Sequence, residues 1–273
     1  MKTITIVGGG WLGRPLAQYL KSIGHQTYTS KTTIEGTTEL QSFGLNSFVC
    51  DLSQGSESLQ TQLLDYPSDI VIGCFPPGFR RGQGDEYVTY WNNVIEASKN
   101  TGVKRVVMVS STTVYPNTAQ DMVEEDASLV KAENDDKFSD NAKTMLQAEN
   151  LLISSGLKFA IVRCSGLIGP NRHPARFVAH LAQVSSKAPA NMIHLQDAVG
   201  AVSYMATYEK SAIVNVTTPN TVSKAEFYQA ALDGINSQES LPEVTEQPDK
   251  RIIADKLQSL GYRFHHQHTL ELV

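Results

Sequence analysis

The run Gly8-Gly9-Gly10-Trp11-Leu12-Gly13 stands directly after an apolar segment, Thr3–Val7, and opens a pattern of helical period over Leu12–Ile23. Strand, glycine loop and helix in that order leave few folds open. In a Gly-x-Gly-x-x-Gly loop the first glycine permits a tight turn, and the second removes a side chain where a pyrophosphate must approach the backbone. The third lets the helix lie close to the strand. The helix amides then face the phosphates. Gly8, Gly10, Trp11, Leu12 and Gly13 are therefore candidates for a dinucleotide site at the start of a βαβ unit.

The rest of the chain keeps this rhythm. Strands are expected at Gln26–Ser30, Ser47–Cys50, Ile70–Cys74, Arg105–Ser110, Phe159–Cys164 and Ala212–Val216, and helices at Glu86–Thr101, Asn141–Ser155, Asp197–Tyr208, Lys224–Leu232 and Ile253–Leu260. Alternation of this kind predicts an α/β fold, a Rossmann-type doubly wound parallel sheet. Gly156 stands where the Asn141 helix would need a C-cap. After Gly166 the rhythm loosens, and Pro170, Pro174, Pro189, Pro219, Pro242 and Pro248 break the chain into short pieces. The expected division is a dinucleotide-binding domain over residues 1–165 and a small C-terminal substrate lobe over 166–273. One strand near 212–216 returns from that lobe to the main sheet. The acidic stretch Asn117–Asp140 reads as a solvated loop.

A chain of 273 residues, 41% hydrophobic and 19% charged, can bury a large core. Its net charge of -5 offers no field to collect nucleic-acid backbones. No stretch approaches a membrane span, and Met1–Val7 runs into glycines rather than a cleavable apolar segment, so a cytoplasmic location is expected. Cys50, Cys74 and Cys164 lie in or at the ends of apolar runs, without metal-ligand spacing, and read as buried thiols. His265, His266 and His268 cluster near the C-terminus but lack a supporting ligand, and no metal is expected there. His194 reads as a structural histidine.

About 20 residues beyond the glycine loop, an NAD-selective site carries an Asp or Glu for the ribose 2′-hydroxyl. Here the segment is Thr27-Tyr28-Thr29-Ser30-Lys31-Thr32, with no carboxylate. Ser30 and Lys31, together with Arg14 just after the glycines, suit a 2′-phosphate, which favours NADP(H) over NAD(H). The alternative is that Lys31 is a solvated turn residue and Arg14 covers the helix start.

Several segments, in order, match one family. Val109-Ser110-Ser111-Thr112-Thr113-Val114-Tyr115 is similar to a Ser-Ser-x-x-Val-Tyr-Gly segment, and Arg163 with Gly166-Leu167-Ile168-Gly169-Pro170-Asn171-Arg172 to an Arg…Gly-x-x-Gly-Pro-x-Arg run. Ile193-His194-Leu195-Gln196-Asp197 and Asn215-Val216 match later segments, and Asp51-Leu52 matches a pair that contacts adenine. The chain resembles the extended short-chain dehydrogenase/reductases, described as NAD-dependent epimerase/dehydratases. It is most similar to their atypical branch, which keeps the cofactor fold and loses parts of the active-site tetrad. The resemblance implies that Ser110, Asp51 and Leu52 touch the cofactor, that Ser111 bonds a substrate oxygen, and that Lys143 holds the nicotinamide ribose. It also implies a small polar substrate, of sugar type by the family's name, and a homodimer formed through the Glu86–Thr101 and Asn141–Ser155 helices. Phe75 and Pro76, in the loop after the fourth strand, are candidates for the nicotinamide side. Arg80 and Arg81 in the same loop could meet an anion, and read equally as surface charge.

Two departures matter. The family spaces its glycines Gly-x-x-Gly-x-x-Gly, whereas Gly8, Gly10 and Gly13 keep the shorter spacing. The family's Tyr-x-x-x-Lys appears as Ser139-Asp140-Asn141-Ala142-Lys143. A serine hydroxyl is too weak an acid to replace a phenol as proton shuttle. Tyr115, Asp140, Tyr87 and Tyr90 are the nearby substitutes in sequence. Two expectations follow: an NADP(H)-linked oxidoreductase or epimerase/dehydratase-like enzyme using Ser111 and Lys143, or a non-catalytic NADP(H)-binding redox-sensing protein.

Overall fold

The computed structural model describes residues 1–79, 82 and 84–273, Asp85 by its backbone alone. Seven strands form one sheet: β1 (Thr3–Val7), β2 (Gln26–Lys31), β3 (Asn46–Val49), β4 (Ile70–Gly73), β5 (Arg105–Ser111), β6 (Lys158–Cys164) and β7 (Ala212–Val216). Their order across the sheet is β7-β6-β5-β4-β1-β2-β3, and every pair is parallel. This is the Rossmann-type arrangement that the alternating apolar runs predict. The central strands carry apolar residues on both faces because helices cover both. Ile4, Ile6, Ile72, Val107 and Val162 pack on one face with Leu16 and Leu20 of the Gly13–Ser22 helix and Val202 of the Leu195–Thr207 helix. Val71, Val106, Met108 and Ile161 pack on the other with Trp91 and Val94 of the Gly84–Asn100 helix and Met145 of the Asp140–Ile153 helix.

Chain direction across the sheet reverses between β1 and β4, which opens a crevice beyond their carboxyl ends. The glycine loop leaves β1 there. Outside the main sheet the chain makes short parallel pairs, including Gly166–Ile168 with Met192–His194 and Asp121–Met122 with Arg251–Ile252.

That last pair corrects the reading of Asn117–Asp140 as solvated loop. The segment carries a short strand, a turn at Glu124–Asp126 and a helix at Leu129–Glu133, and it buries Met122, Glu124, Ala127, Ala132 and Phe138. Of its acidic residues Asp121, Glu125, Glu133, Asp136 and Asp140 are exposed, whereas Glu124 is not.

Candidate functional site

The loop after β1 is held by its own backbone. Gly8 has φ 101, a region that L side chains rarely adopt, and its N–H donates to Ser30 Oγ at 3.0 Å. The Gly9 N–H donates to the Ser30 carbonyl at 2.7 Å. Ser30 is therefore the strut of the loop, its hydroxyl engaged by the backbone. A Cβ on Gly13 would lie 2.1 Å from the Gly8 carbonyl oxygen, whereas one on Gly10 would meet nothing within 4 Å. Helix and strand thus touch where the third glycine stands, and space is open over the second. The helix that begins at Gly13 has no side-chain cap at Leu12 and no acidic residue in its first turn. The Arg14 N–H is taken by the Gly10 carbonyl at 3.0 Å and Pro15 has none, so an anion here would be met by the N–H groups of Gly13 and of the loop before it. These residues fit a dinucleotide pyrophosphate.

Along the β2 side of the loop, Arg14 and Lys31 converge on one carboxylate. Arg14 lies 3.5 Å from Glu39 Oε1 and Lys31 3.4 Å from Glu39 Oε2. Arg14 also lies over the Phe43 ring, 4.4 Å from its centroid. Glu39 is a residue that pattern reading missed. It sits on the Ile34–Ser42 helix, whose start is capped by Thr33 accepting from the Gly36 N–H. Asp51 caps the next turn by accepting from the Ser53 N–H at 3.0 Å, and Leu52 is buried with its carbonyl taken by Asn93.

On the β4 side, Phe75 packs on Trp91 with ring centroids 4.8 Å apart, with Tyr87 and Tyr90 edge-on, while Pro76 is exposed. Arg80 and Arg81 lie outside the described residues.

At the end of β5 the two serines part. Ser110 turns inward and donates to Glu149 Oε1 at 2.6 Å. Ser111 Oγ accepts from the Thr113 N–H at 3.1 Å, which caps the Thr112–Val114 turn, and is hydrogen-bonded to Thr113 Oγ1 at 2.9 Å. The Asp140–Ile153 helix packs on that turn and carries half-buried Lys143, whose ammonium has no hydrogen-bond or ion-pair partner among the described residues. Ser139 is the N-cap of this helix, accepting from the Ala142 N–H at 3.2 Å. The residue standing where the family has its tyrosine is thus occupied in holding the helix start.

The sequence candidates for a proton donor are dispersed. Tyr115 is buried, donates to Asn215 Oδ1 at 2.6 Å, accepts from Arg163, and has its phenol pushed up to about 12 by burial. It belongs to the core. Tyr87 is buried, and burial raises its phenol. Tyr90 donates to Glu86 at 2.7 Å, and that bond pushes its phenol up to about 12. Asp140 is exposed in the first turn of its helix.

Tyr115 is part of a buried charge network beneath the site. Arg163 on β6 donates from Nε and Nη2 to Glu149, from Nη1 to Tyr115 and the Glu124 carbonyl, and from Nη2 to the Ala127 carbonyl. Burial opposes the guanidinium charge, but the carboxylate of Glu149 holds it above its usual range. Glu124 Oε1 accepts from the Asn215 N–H at 2.7 Å, and burial raises its carboxyl above the ordinary range. The folded protein then keeps that proton to higher pH than the unfolded chain does, so this group's contribution to stability is lost as pH rises through the shifted range. Glu124→Gln keeps an oxygen for the Asn215 N–H and has no charge to bury. Its stability relative to the parent is expected to improve as pH rises from about 4, where the unfolded carboxyl titrates, and to level off once the folded carboxyl has ionised, read as urea midpoints. A difference that stays flat with pH would mean the carboxyl titrates alike in both states.

The C-terminal part closes on the loop through Trp11, whose indole donates to the Pro170 carbonyl at 2.8 Å and lies under the Arg172 guanidinium at 4.4 Å. Asp197 is buried and accepts from the His265 and His266 N–H groups and pairs with His266 Nδ1 at 2.6 Å. His268 caps the final turn. The histidine cluster therefore anchors the chain end, and no group of three or more His, Cys, Asp or Glu among the described residues is placed to hold a metal. His194 caps the Leu195–Thr207 helix. Cys50 and Cys164 are buried and Cys74 partly so, all free, and burial raises each thiol. A groove of about 690 Å³ runs between the Gly13–Ser22 and Leu195–Thr207 helices, and neither Ser111, Lys143 nor any of the loop glycines lines it. No helix among the described residues is long and apolar enough to cross a membrane.

Comparison with known proteins agrees with this geometry. A model of the NAD(P)H-binding family matches residues 8–197. Protein YeeZ of Escherichia coli K12 is 32% identical over 238 residues, covering 84% of this chain and 82% of that protein. Among solved structures, the UDP-Glc/GlcNAc 4-epimerase of Campylobacter jejuni superposes with a TM-score of 0.79 at 14% identity, covering 100% of this chain and 97% of the other. The Bordetella bronchiseptica enzyme WbmH in complex with NAD+ does so at 0.76 and 18%, covering 100% and 95%. The fold is that of the NAD-dependent epimerase/dehydratases, as the sequence resemblance implies.

Proposed function

Because the chain belongs to the NAD(P)H-binding family, we propose that it is an NADP(H)-linked oxidoreductase or epimerase/dehydratase-like enzyme acting on a small polar substrate. The observation that carries the reading is the site's two ends together: an uncapped helix start over open glycine, and Arg14 with Lys31 at the β2 edge. The first suits the pyrophosphate of any dinucleotide, the second a 2′-phosphate. WbmH holds NAD+. The absence of a carboxylate at the end of β2 favours the phosphorylated cofactor here.

When bound, the cofactor supplies hydride chemistry; the protein's residues supply position and protons. Lys143, with no partner of its own, serves as a cation for the ribose or for a substrate oxygen. The Ser111 hydroxyl, fixed by Thr113, offers a hydrogen bond to a polar substrate group. Ser139, with its oxygen given to the helix start, takes no part in proton transfer. That same capping favours a second reading, a protein that binds NADP(H) and reports its redox state without turning substrate over.

Titration with NADPH and then NADH, followed by nicotinamide fluorescence, tests the shared premise. NADPH is expected to bind at micromolar Kd and NADH about tenfold more weakly or worse. Lys143→Ala is expected to weaken both, and Ser111→Ala to spare binding. Binding of neither nucleotide would overturn both readings. Hydride exchange with any carbonyl or alcohol in a substrate panel would remove the sensor, and turnover left intact by Ser111→Ala would remove Ser111 from the site.

A further inference from the structure

We propose that Glu39 is a built-in competitor for the cofactor's 2′-phosphate: its carboxylate occupies the two cations that the phosphate needs, and so limits how strongly the site prefers NADPH. The inference rests on the NADP(H) reading above and adds the residue that sets the degree of preference.

Glu39 spans Arg14 and Lys31 with one oxygen to each, at 3.5 and 3.4 Å. Those are long contacts, and half of the Glu39 side chain is exposed, at 51%. Exposed ion pairs at such distances are weak, so the carboxylate can turn into water at little cost. The cations, by contrast, are placed by contacts that do not involve Glu39. Arg14 lies over the Phe43 ring at 4.4 Å. The aliphatic stem of Lys31 runs past Gly36, where a Cβ would come within 3.0 Å of the Lys31 Cβ and Cγ atoms. A helix position without a side chain is what lets that stem lie there. Removing the Glu39 charge therefore leaves two fixed cations with no anion between them.

A phosphate monoester carries nearly two negative charges and three acceptor oxygens, against the single charge of a carboxylate. It displaces Glu39, but the affinity observed is reduced by the competition. NADH, which has no group for the cations, leaves the bridge in place. The bridge thus lowers discrimination between the two cofactors.

The test is fluorescence titration of Glu39→Gln with NADPH and NADH at low and moderate salt. NADPH affinity is expected to rise about three- to fivefold at low salt, with a smaller gain as salt screens the charges, and NADH to move less than twofold. Glu35→Gln, which removes the same charge from the exposed first turn of the same helix, is expected to leave both within twofold. Weaker NADPH binding in Glu39→Gln would mean the carboxylate positions the cations. Weaker NADH binding would mean it accepts the ribose hydroxyl instead. An unchanged preference would mean it does nothing; each of these overturns the proposal. The Arg14→Ala, Lys31→Ala double variant separates the two levels. If it weakens NADPH and not NADH, the 2′-phosphate reading stands whatever Glu39 does. If it affects both alike, that reading falls and Glu39 falls with it.

Discussion

Replacing Glu149 by alanine is expected to destabilise the protein by about 3–5 kcal/mol, a loss large enough to unfold many domains. Glu149 and Arg163 are each 1% exposed and pair at 2.7 Å. The carboxylate also accepts from Ser110 at 2.6 Å, and the guanidinium reaches Tyr115 and two backbone carbonyls. Truncating the acid leaves a positive charge buried in the core without the carboxylate it pairs with. Removing both charges is a different matter, because a buried pair replaced by apolar side chains leaves nothing unsolvated. The double variant Glu149→Leu, Arg163→Met is expected to lose clearly less than the sum of its single losses, read from urea midpoints. Additive losses would mean the two side chains do not stabilise one another. Because Ser110 leads to Ser111 and Glu149 lies on the helix that bears Lys143, NADPH affinity is expected to fall in the single variant even where it is still folded.

This network marks the boundary of what the chain discloses in one dimension. Strands β1, β4 and β6 are legible because both faces are buried and apolar residues dominate them, with Thr5 and Arg163 as buried polar exceptions. The glycine loop is legible because each glycine answers a local steric demand. Glu124 is not. Its neighbours Glu125 and Asp126 give the segment a wet composition, yet its own carboxylate is aimed at a backbone amide 91 residues further on. Glu39 is hidden for a similar reason: its partners lie on two other elements, and an exposed helix glutamate has no periodic signal. Tyr115 could be placed in the core only through its resemblance to a strand-end motif, and Ser139 as a cap only once the helix start was known. Side chains that act across the sheet leave no trace in spacing.

The glycine loop allows fold and ligand to be tested separately. Gly10→Ala is expected to leave stability unchanged, since its Cβ meets nothing within 4 Å, and still to weaken NADPH binding by roughly two orders of magnitude. On the proposed reading, the space it fills is the space the pyrophosphate needs. Gly13→Ala is expected to damage both. Its Cβ would lie 2.1 Å from the Gly8 carbonyl oxygen, so strand and helix must separate, at a cost of about 1–3 kcal/mol. That movement also breaks the register in which the Gly8 and Gly9 N–H groups meet Ser30. Thermal melts and nucleotide titrations on the two variants distinguish the cases. Full NADPH binding by Gly10→Ala would show that the open space over the loop is not where the cofactor lies. A Gly13→Ala variant as stable as its parent would mean that helix and strand can yield there, and that the third glycine is kept for the ligand rather than for the fold.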